Sequence, residues 1–546
     1  MRSIFFYARD LCSKSMCTIP RRRAVPSPLP YGRGSERTAP DRARSFTVVV
    51  RWSVRCLLGL PAVMVGACAT VDARRDFERV AEQVQKATGQ NTPVPVDDQE
   101  EIERQVQQML ADGLSVEEAA AICLLNNPKL TALYFKVGIA RADLVQSQLL
   151  RNPTLSLAVR FPDGGGLANV MVDFAQNIAD LWQIPVRKEA AEFTLDQTIL
   201  EVARELGIAV LDAKSAFFRA LAADRLRGIA QENVGIAQDS LEAALVRQRA
   251  GAGNEIEVNL ARSEALETDL SFRSAGLAAY QARRDLALLL GLTILPDRFT
   301  LVGALPDPPA WKATADDLVL AAESHRMDVL AANRMVEAAE ANLLLERRRV
   351  FPMVELGFSF ERESRPQSHD GNPVADALRE RTISGEPTGP IFGQEEDAGE
   401  DVVFGPSFGL ELPLFDQNQA AIAKAHFMFS QSRRLAESLR RQVVQEVFGA
   451  YEGMRVAADN LRFYRDQVLP LRETNLQLTR EGYRAGKTSF LAVLEAQRVL
   501  LSARARQVEL QQAAAVALTE LEKVTGEPLA KILAEGMPTK TGEVGG

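Results

Sequence analysis

The chain contains its own pattern twice, and that repetition leaves few architectures open. Residues 126 to 153 align without gaps onto residues 325 to 352 at an offset of 199, pairing Ala132 with Ala331, Val137 with Val336, Ala140 with Ala339, Leu144 with Leu343 and Pro153 with Pro352. A second block aligns at an offset of 235, pairing Arg249-Ala250-Gly251 with Arg484-Ala485-Gly486, Val258 with Val493, Leu266 with Leu501 and Gly291 with Gly526. The blocks come in the same order in both halves, so two like structural units are expected. The offsets differ by 36, which assigns the second half an insertion of about that length; the Gly-, Pro-, Glu- and Asp-rich stretch 361–400 is where it falls.

The hydrophobic period changes twice within each half. Leu155, Leu157, Val159 and Phe161 alternate with small or polar residues, as do Val170, Val172 and Phe174, then Val354, Leu356, Phe358 and Phe360, then Phe404, Phe408, Leu410 and Leu412. This predicts two strands per half, at about 154–161, 170–178, 353–361 and 402–412, each with one apolar and one polar face. Everything else reads as helix. Gln183 to Gln248 is 66 residues and Asp416 to Tyr483 is 68, about 100 Å each at a helical rise. Val443, Val447, Ala450, Met454, Ala457, Leu461, Tyr464, Val468 and Leu471 keep a 4-3 spacing, and Leu491, Leu494, Arg498, Leu501, Ala505 and Val508 keep it on the returning helix. That spacing predicts antiparallel coiled-coil hairpins turning at Gly251 and Gly486.

The leading segment reads as an address. Residues 1–45 mix Arg, Pro, Ser and Gly without period and read as disordered or as a mis-called start, and 46–67 read as a signal peptide, with an apolar run Leu57 to Ala67 of 11 residues, too short to span a bilayer. Val65-Gly66-Ala67-Cys68 resembles the lipobox at which bacterial lipoproteins are cut and acylated, so Cys68 is the expected lipidation site; the plain alternative is a buried cysteine. Of 546 residues, the first 55 hold twelve Lys/Arg against three Asp/Glu, which leaves 52 basic against 69 acidic groups in the rest. That balance argues against a nucleic-acid partner, because phosphates need a basic face. Three scattered histidines, His325, His369 and His426, offer little for acid–base or metal chemistry. No catalytic or metal residue is assigned, and no cofactor is expected beyond the covalent lipid on Cys68.

Four strands of this length suit a bilayer, but alone they leave two open edges, whose unpaired backbone groups are costly in hydrocarbon. Closure with copies is required, and three chains would supply twelve strands. The resulting fold class is mainly α with a membrane β-barrel. It is a duplicated helix–strand–strand–long helix–helix unit, the homotrimer forming a 12-stranded barrel on a long α-helical barrel. The expected division is an acylated segment at 68–110, a first repeat at 111–295, a linker at 296–314, a second repeat at 315–530 and a tail at 531–546.

Several motifs then carry a family resemblance. Asn127-Pro128 and Arg326-Met327-Asp328 open the halves, Leu412-Pro413-Leu414-Phe415-Asp416 leads into the second long helix, and Tyr483-x-x-Gly486-x-x-Ser489 precedes Val493-Leu494-Glu495-Ala496-Gln497. Together, over about residues 110 to 530, they resemble the outer-membrane efflux protein (TolC) family. The first half departs from the pattern, with Gln248 and Asn254 at the tip and Gln183-Ile184-Pro185-Val186-Arg187 in place of an Asp-led start. The resemblance implies no enzyme but a lipid-anchored duct in the outer membrane of a Gram-negative bacterium, its helical barrel in the periplasm, docked onto a periplasmic adaptor and an inner-membrane pump.

The residues assigned to adaptor docking are Arg249, Gly251, Tyr483, Arg484, Gly486 and Ser489. Their bland readings are helix capping for the arginines, turn formation for the glycines and hairpin packing for Tyr483. Pro470 and its repeat partner Gly235 form a candidate hinge, with a static kink as the alternative. The acidic run Glu395, Glu396, Asp397, Glu400 and Asp401 reads as a solvated loop in the insertion. Competing functions are a periplasmic adaptor lipoprotein, which needs intervening globular β domains, a trimeric adhesin with one C-terminal anchor, and a type I secretion duct for proteins.

Overall fold

The computed structural model describes residues 70–92, 99–161, 168–309, 313–350, 354–364, 400–528 and 531. The chain divides into the units Met1–Ala69 and Thr70–Gly546. The first of these lies outside the described residues, with the signal peptide and Cys68, and so do most of the insertion and the tail.

Two helices, α1 (Arg74–Thr88) and α2 (Gln99–Ala111), precede the duplicated unit. The first repeat is α3 (Val116–Asn126), α4 (Pro128–Ser147), β1 (Thr154–Arg160), β2 (Asn169–Asn177), α5 (Asp180–Arg249) and α6 (Glu255–Leu289). The second is α7 (Ala315–His325), α8 (Met327–Arg348), β3 (Val354–Ser364), β4 (Glu400–Leu410), α9 (Gln419–Phe463), a π-turn (Tyr464–Val468), α10 (Leu469–Arg484) and α11 (Phe490–Thr525).

The duplication extends to single hydrogen bonds. A capping box opens α3, where Ser115 and Glu118 satisfy each other's backbone N–H, and another opens α7 through Thr314 and Asp317, at the same 199-residue offset. Each returning helix ends on a glycine with positive φ, Gly291 (67°) and Gly526 (76°). A Cβ on Gly291 would stand 2.8 Å from the Asn126 carbonyl oxygen, and one on Gly526 would stand 3.0 Å from the Arg326 Cα. Both offsets therefore converge on one joint, where a returning helix abuts the link between the two short helices of its own repeat.

The polar groups at that joint differ. Asn127 donates to the Leu289 carbonyl at 2.9 Å in the first repeat. In the second, buried Arg326 grips Asp328 through two hydrogen bonds of 3.0 and 2.7 Å and reaches Glu446 on α9 at 2.6 Å. Burial opposes the Asp328 carboxylate, but the bonds and charge of Arg326, with Arg204 adding at 3.3 Å, hold its pKa below the ordinary range.

The core runs along α5, against which α1, α3, α4, α6, α8 and α11 all pack. Its wall is small and aliphatic, with Ala203, Leu206, Val210, Ala213, Phe217 and Ala220 buried at helical spacing. Cys123 sits in this core, where burial, helped by the charge of Asp212, pushes its thiol up to about 12.

The first long helix follows the expectation and the second departs from it. α5 is continuous for 70 residues and runs through both Pro185 and Gly235. Its partner is interrupted by the π-turn, after which Pro470 is the second residue of α10. Proline has no N–H and crowds the preceding turn, so the wider turn accommodates it. The extra residue also shifts the seam. Val443, Val447, Met454 and Leu461 are buried as predicted, but Leu471 is 58% exposed and Leu476 is buried instead. On α11, Leu491 and Arg498 face out, the latter paired with Glu495 at 3.1 Å, and Val493, Leu500, Leu501 and Val508 are buried.

The strands form one four-stranded antiparallel sheet in the order β1-β2-β3-β4. β3 and β4 are 11 residues each and extend past the predicted strand ends into the stretch read as insertion, whereas β1 has 7 and β2 has 9.

Candidate functional site

The sheet register sorts the side chains by chemistry. Leu155 pairs with Phe174 and Leu157 with Val172, Phe174 with Phe358 and Val172 with Phe360, Leu356 with Phe408 and Phe360 with Phe404. Because strand residues alternate in direction, these all lie on one face, where the rings of Phe358 and Phe404 meet at 6.3 Å. The opposite face carries Ser156, Asp173 and Ser359 in one paired row, and Ala158, Met171 and Glu361 in the next. Its described charges are Arg160 against Asp173, Glu355, Glu361, Glu363 and Asp401, so that face is acidic.

The apolar face is uncovered. Leu155 is 72% exposed, Phe404 69% and Phe408 67%, a row of large side chains with no layer packed upon it among the described residues. β1 and β4 are each paired on one side only. An exposed apolar face with two open edges is unstable in water. Among the described residues, no helix is long and apolar enough to cross a membrane.

Where sheet meets helix, each repeat uses an aspartate. Asp416 accepts the Asn418 N–H at 2.9 Å, and Asn418, at φ 61°, donates its side-chain amide to the Glu346 carbonyl at 2.7 Å. This turn explains the Asp that closes Leu412 to Asp416. The first repeat does have an Asp-led start, contrary to the sequence reading: fully buried Asp180 accepts the Arg151 N–H at 2.9 Å and pairs with Arg187 at 3.3 Å. Its place three residues before Gln183 hid it from the motif. Leu412, Leu414, Phe415, Leu181 and Trp182 are exposed around this junction.

At the opposite end are the two hairpin tips, and they superimpose bond for bond in sequence. Ala252 donates to the Arg247 carbonyl at 2.9 Å, and Lys487, 235 residues later, donates to the Gly482 carbonyl at 2.8 Å. Gly251 (φ 70°) and Gly486 (φ 65°) supply the left-handed residue. Asn254 caps α6 as Ser489 caps α11, so the departure at Asn254 leaves the turn intact.

Arg249 donates to its own helix at Leu245, Arg484 is exposed, and Tyr483 packs beside Phe490 at 6.0 Å. The residue the sequence did not single out is Arg247. It donates to the Tyr483 hydroxyl, lies 5.9 Å over the Tyr483 ring and stands 3.8 Å from Glu257, so it ties the first tip to the second. Its repeat counterpart is Gly482, which is why self-alignment gave no signal.

Residues 318–527 match the family model described as outer membrane efflux protein. The chain is 22% identical over 425 residues to the cobalt-zinc-cadmium resistance protein CzcC of Cupriavidus metallidurans, covering 76% of this chain and 91% of that one. It is 26% identical over 318 residues to the pyoverdine export outer membrane protein OpmQ of Pseudomonas putida, covering 57% and 60%. Among solved structures, CusC superimposes with a TM-score of 0.55 at 20% identity over 75% of this chain and 91% of that chain. The MtrE outer membrane channel of Neisseria gonorrhoeae does so with 0.53 at 18%, over 76% and 89%. The family match thus falls on the second repeat, and the solved structures share the fold.

Proposed function

We propose that the protein is the outer-membrane exit duct of a tripartite efflux system, passing substrates from a periplasm-spanning pump to the exterior without chemistry of its own. The observation that carries this is the four-stranded sheet: apolar on one face, polar and acidic on the other, open at both edges and mounted on long helical hairpins. Three copies joined edge to edge pair every strand, turn the apolar face to lipid and the polar face to a water-filled lumen. Leu412, Leu414, Phe415 and Trp182 then lie at the inner rim of the bilayer.

The same arrangement gathers the hairpins into a helical barrel whose tips point away from the membrane. There Arg249, Arg484 and the turns at Gly251 and Gly486 are the surface offered to a periplasmic adaptor, and Tyr483 and Ser489 shape it. A lipid on Cys68 anchors the mature chain to the outer membrane. Pro470 with its π-turn is the hinge at which the tip-ward helices bend on opening; Pro470→Ala that leaves opening unchanged removes that role. No globular β domain interrupts the described helices, which disfavours the adaptor reading.

Native mass and single-channel conductance of the protein extracted in mild detergent test the duct. A conducting trimer, selective for cations because of the acidic lumen face, is the expected result. A folded, non-conducting monomer overturns it.

A further inference from the structure

Where the helices of the second repeat meet its sheet, two arginines have no acid against them. Arg347, Arg348 and Arg349 end α8, and among the described residues only Arg349 is paired with a carboxylate, Glu346 at 2.6 Å. The nearby Arg151 and Arg187 share buried Asp180 at 3.6 and 3.3 Å. Arg348 donates instead to the Trp182 carbonyl at 3.2 Å, and Arg347 has no hydrogen bond or ion pair among the described residues. Both side chains are exposed. At the 199-residue offset their places are taken by Gln148 and Leu149, which end α4 without charge, so the turn into the sheet does not itself require two arginines.

The height and the face of this pair follow from the helices around it. α1 lies over the seam of α5 and α8, where Arg79 meets Asp196 at 2.6 Å and Asp196 meets Arg334 at 4.0 Å. Trp182 stands 14 residues before Asp196, and Arg348 stands 14 after Arg334. Two heptads return each of them to the face that carries α1, about 21 Å nearer the sheet. Three copies of α1 inside the bore would obstruct a duct, so this is its outer face. Arg348 stands six residues before Val354, the first of β3, and Trp182 five after Asn177, the last of β2. The pair therefore lies directly below the apolar sheet face, at the depth of lipid headgroups. Beside Arg347 a cleft of about 540 Å³ opens between α8 and the start of α9, walled by Val350, Ile422 and Phe427.

We propose that Arg347 and Arg348, flanked by Trp182, bind the headgroup phosphate of an anionic phospholipid in the inner leaflet, one site per copy. A guanidinium meets phosphate oxygens through paired N–H donors, and an indole ring favours the same interfacial depth. The opposite end of the sheet differs in charge: there Glu363 stands across from Asp401.

The site rests on the duct reading, which sets the bilayer at this height, and lipid titration separates the two. The mature trimer in mild detergent is titrated with phosphatidylglycerol, phosphatidylethanolamine or inorganic phosphate, and bound molecules are counted by native mass spectrometry. Up to three phosphatidylglycerols per trimer are expected, with phosphatidylethanolamine and inorganic phosphate binding far more weakly. Arg347→Gln with Arg348→Gln should weaken phosphatidylglycerol binding about 30-fold. Arg433→Gln with Arg434→Gln removes the same charge 14 residues beyond Gln419, about 21 Å down α9, and should leave binding as in the wild type. Equal binding of the two lipids, displacement of phosphatidylglycerol by an equal concentration of inorganic phosphate, or equal losses in the two double variants overturns the site, and a conducting wild-type trimer then leaves the duct standing. A folded, non-conducting monomer overturns the duct. If the double variant does not assemble, Arg347→Gln alone carries the test, with an expected loss of about fivefold, and unaltered binding overturns the site.

Discussion

The two repeats solve the same construction problem with different chemistry. In the first, asparagine amides join the returning helix to the short helices, and one unbroken helix runs to the tip. In the second, a buried arginine clamps two acids at the joint, and the helix to the tip is broken by a π-turn and Pro470. Backbone geometry was retained at the capping boxes, the closing glycines and the tip turns, where few residue types fit. Side-chain chemistry diverged where several solutions close the same gap.

The comparison can be broken first at the joint. Arg326→Ala leaves Asp328 and Glu446 without their cation, and breaking a buried pair costs about 3–5 kcal/mol. Asn127→Ala removes a helix cap and should cost about 1 kcal/mol. Denaturant midpoints of the detergent-solubilised protein should show that ratio, and equal losses would mean that the clamp adds nothing over the amide. Gly291→Ala and Gly526→Ala both force a left-handed alanine against backbone, at a cost of about 1–3 kcal/mol each. Here the two repeats should agree, and a marked inequality would show that one joint relaxes.

Proton linkage sharpens the same contrast. The Asp328 pKa is depressed in the folded chain, so its contribution is present above the unfolded value near 4 and is lost as pH falls through the lower folded value. Acid unfolding of the wild type should therefore be steeper below about pH 4 than that of Asp328→Asn, and superimposable curves would remove the linkage. At the tips, Tyr483→Phe keeps the ring beneath Arg247 but deletes the hydrogen-bond acceptor, a loss of about 1 kcal/mol. More frequent channel opening is expected, and unchanged opening statistics would show the tie between tips to be passive. The smallest effect belongs to Gly235→Ala in unbroken α5, where a new Cβ meets nothing within 4 Å. It should stabilise by up to about 1 kcal/mol, and impaired opening would support Gly235 as half of a hinge with Pro470.

Much of the architecture was legible because it is periodic. Self-alignment located both repeats, and alternation located the four strands to within a few residues, because one face must be apolar throughout. The Arg326-Met327-Asp328 motif was visible as a marker, and its role as a clamp was not, since Glu446 lies 120 residues away. The heptad count failed beyond Leu461, because an unbroken count cannot register the residue that a π-turn adds. Asp180 escaped because it stands one turn before the position where a motif was sought, and Arg247 because its counterpart is a glycine.

The sequence by itself determined the duplication, the alternation of the strands, the turns at Gly251 and Gly486 and the acidity of the body, since each depends on residues near one another in the chain. Only the tertiary structure decided which strand edges and helix faces stay uncovered, which cation bridges the two tips, and where the helical phase slips. The tie between the tips joins residues 236 positions apart, the uncovered faces are what remains after distant helices have packed, and the phase slip is a backbone choice at Pro470 that a periodic pattern does not register.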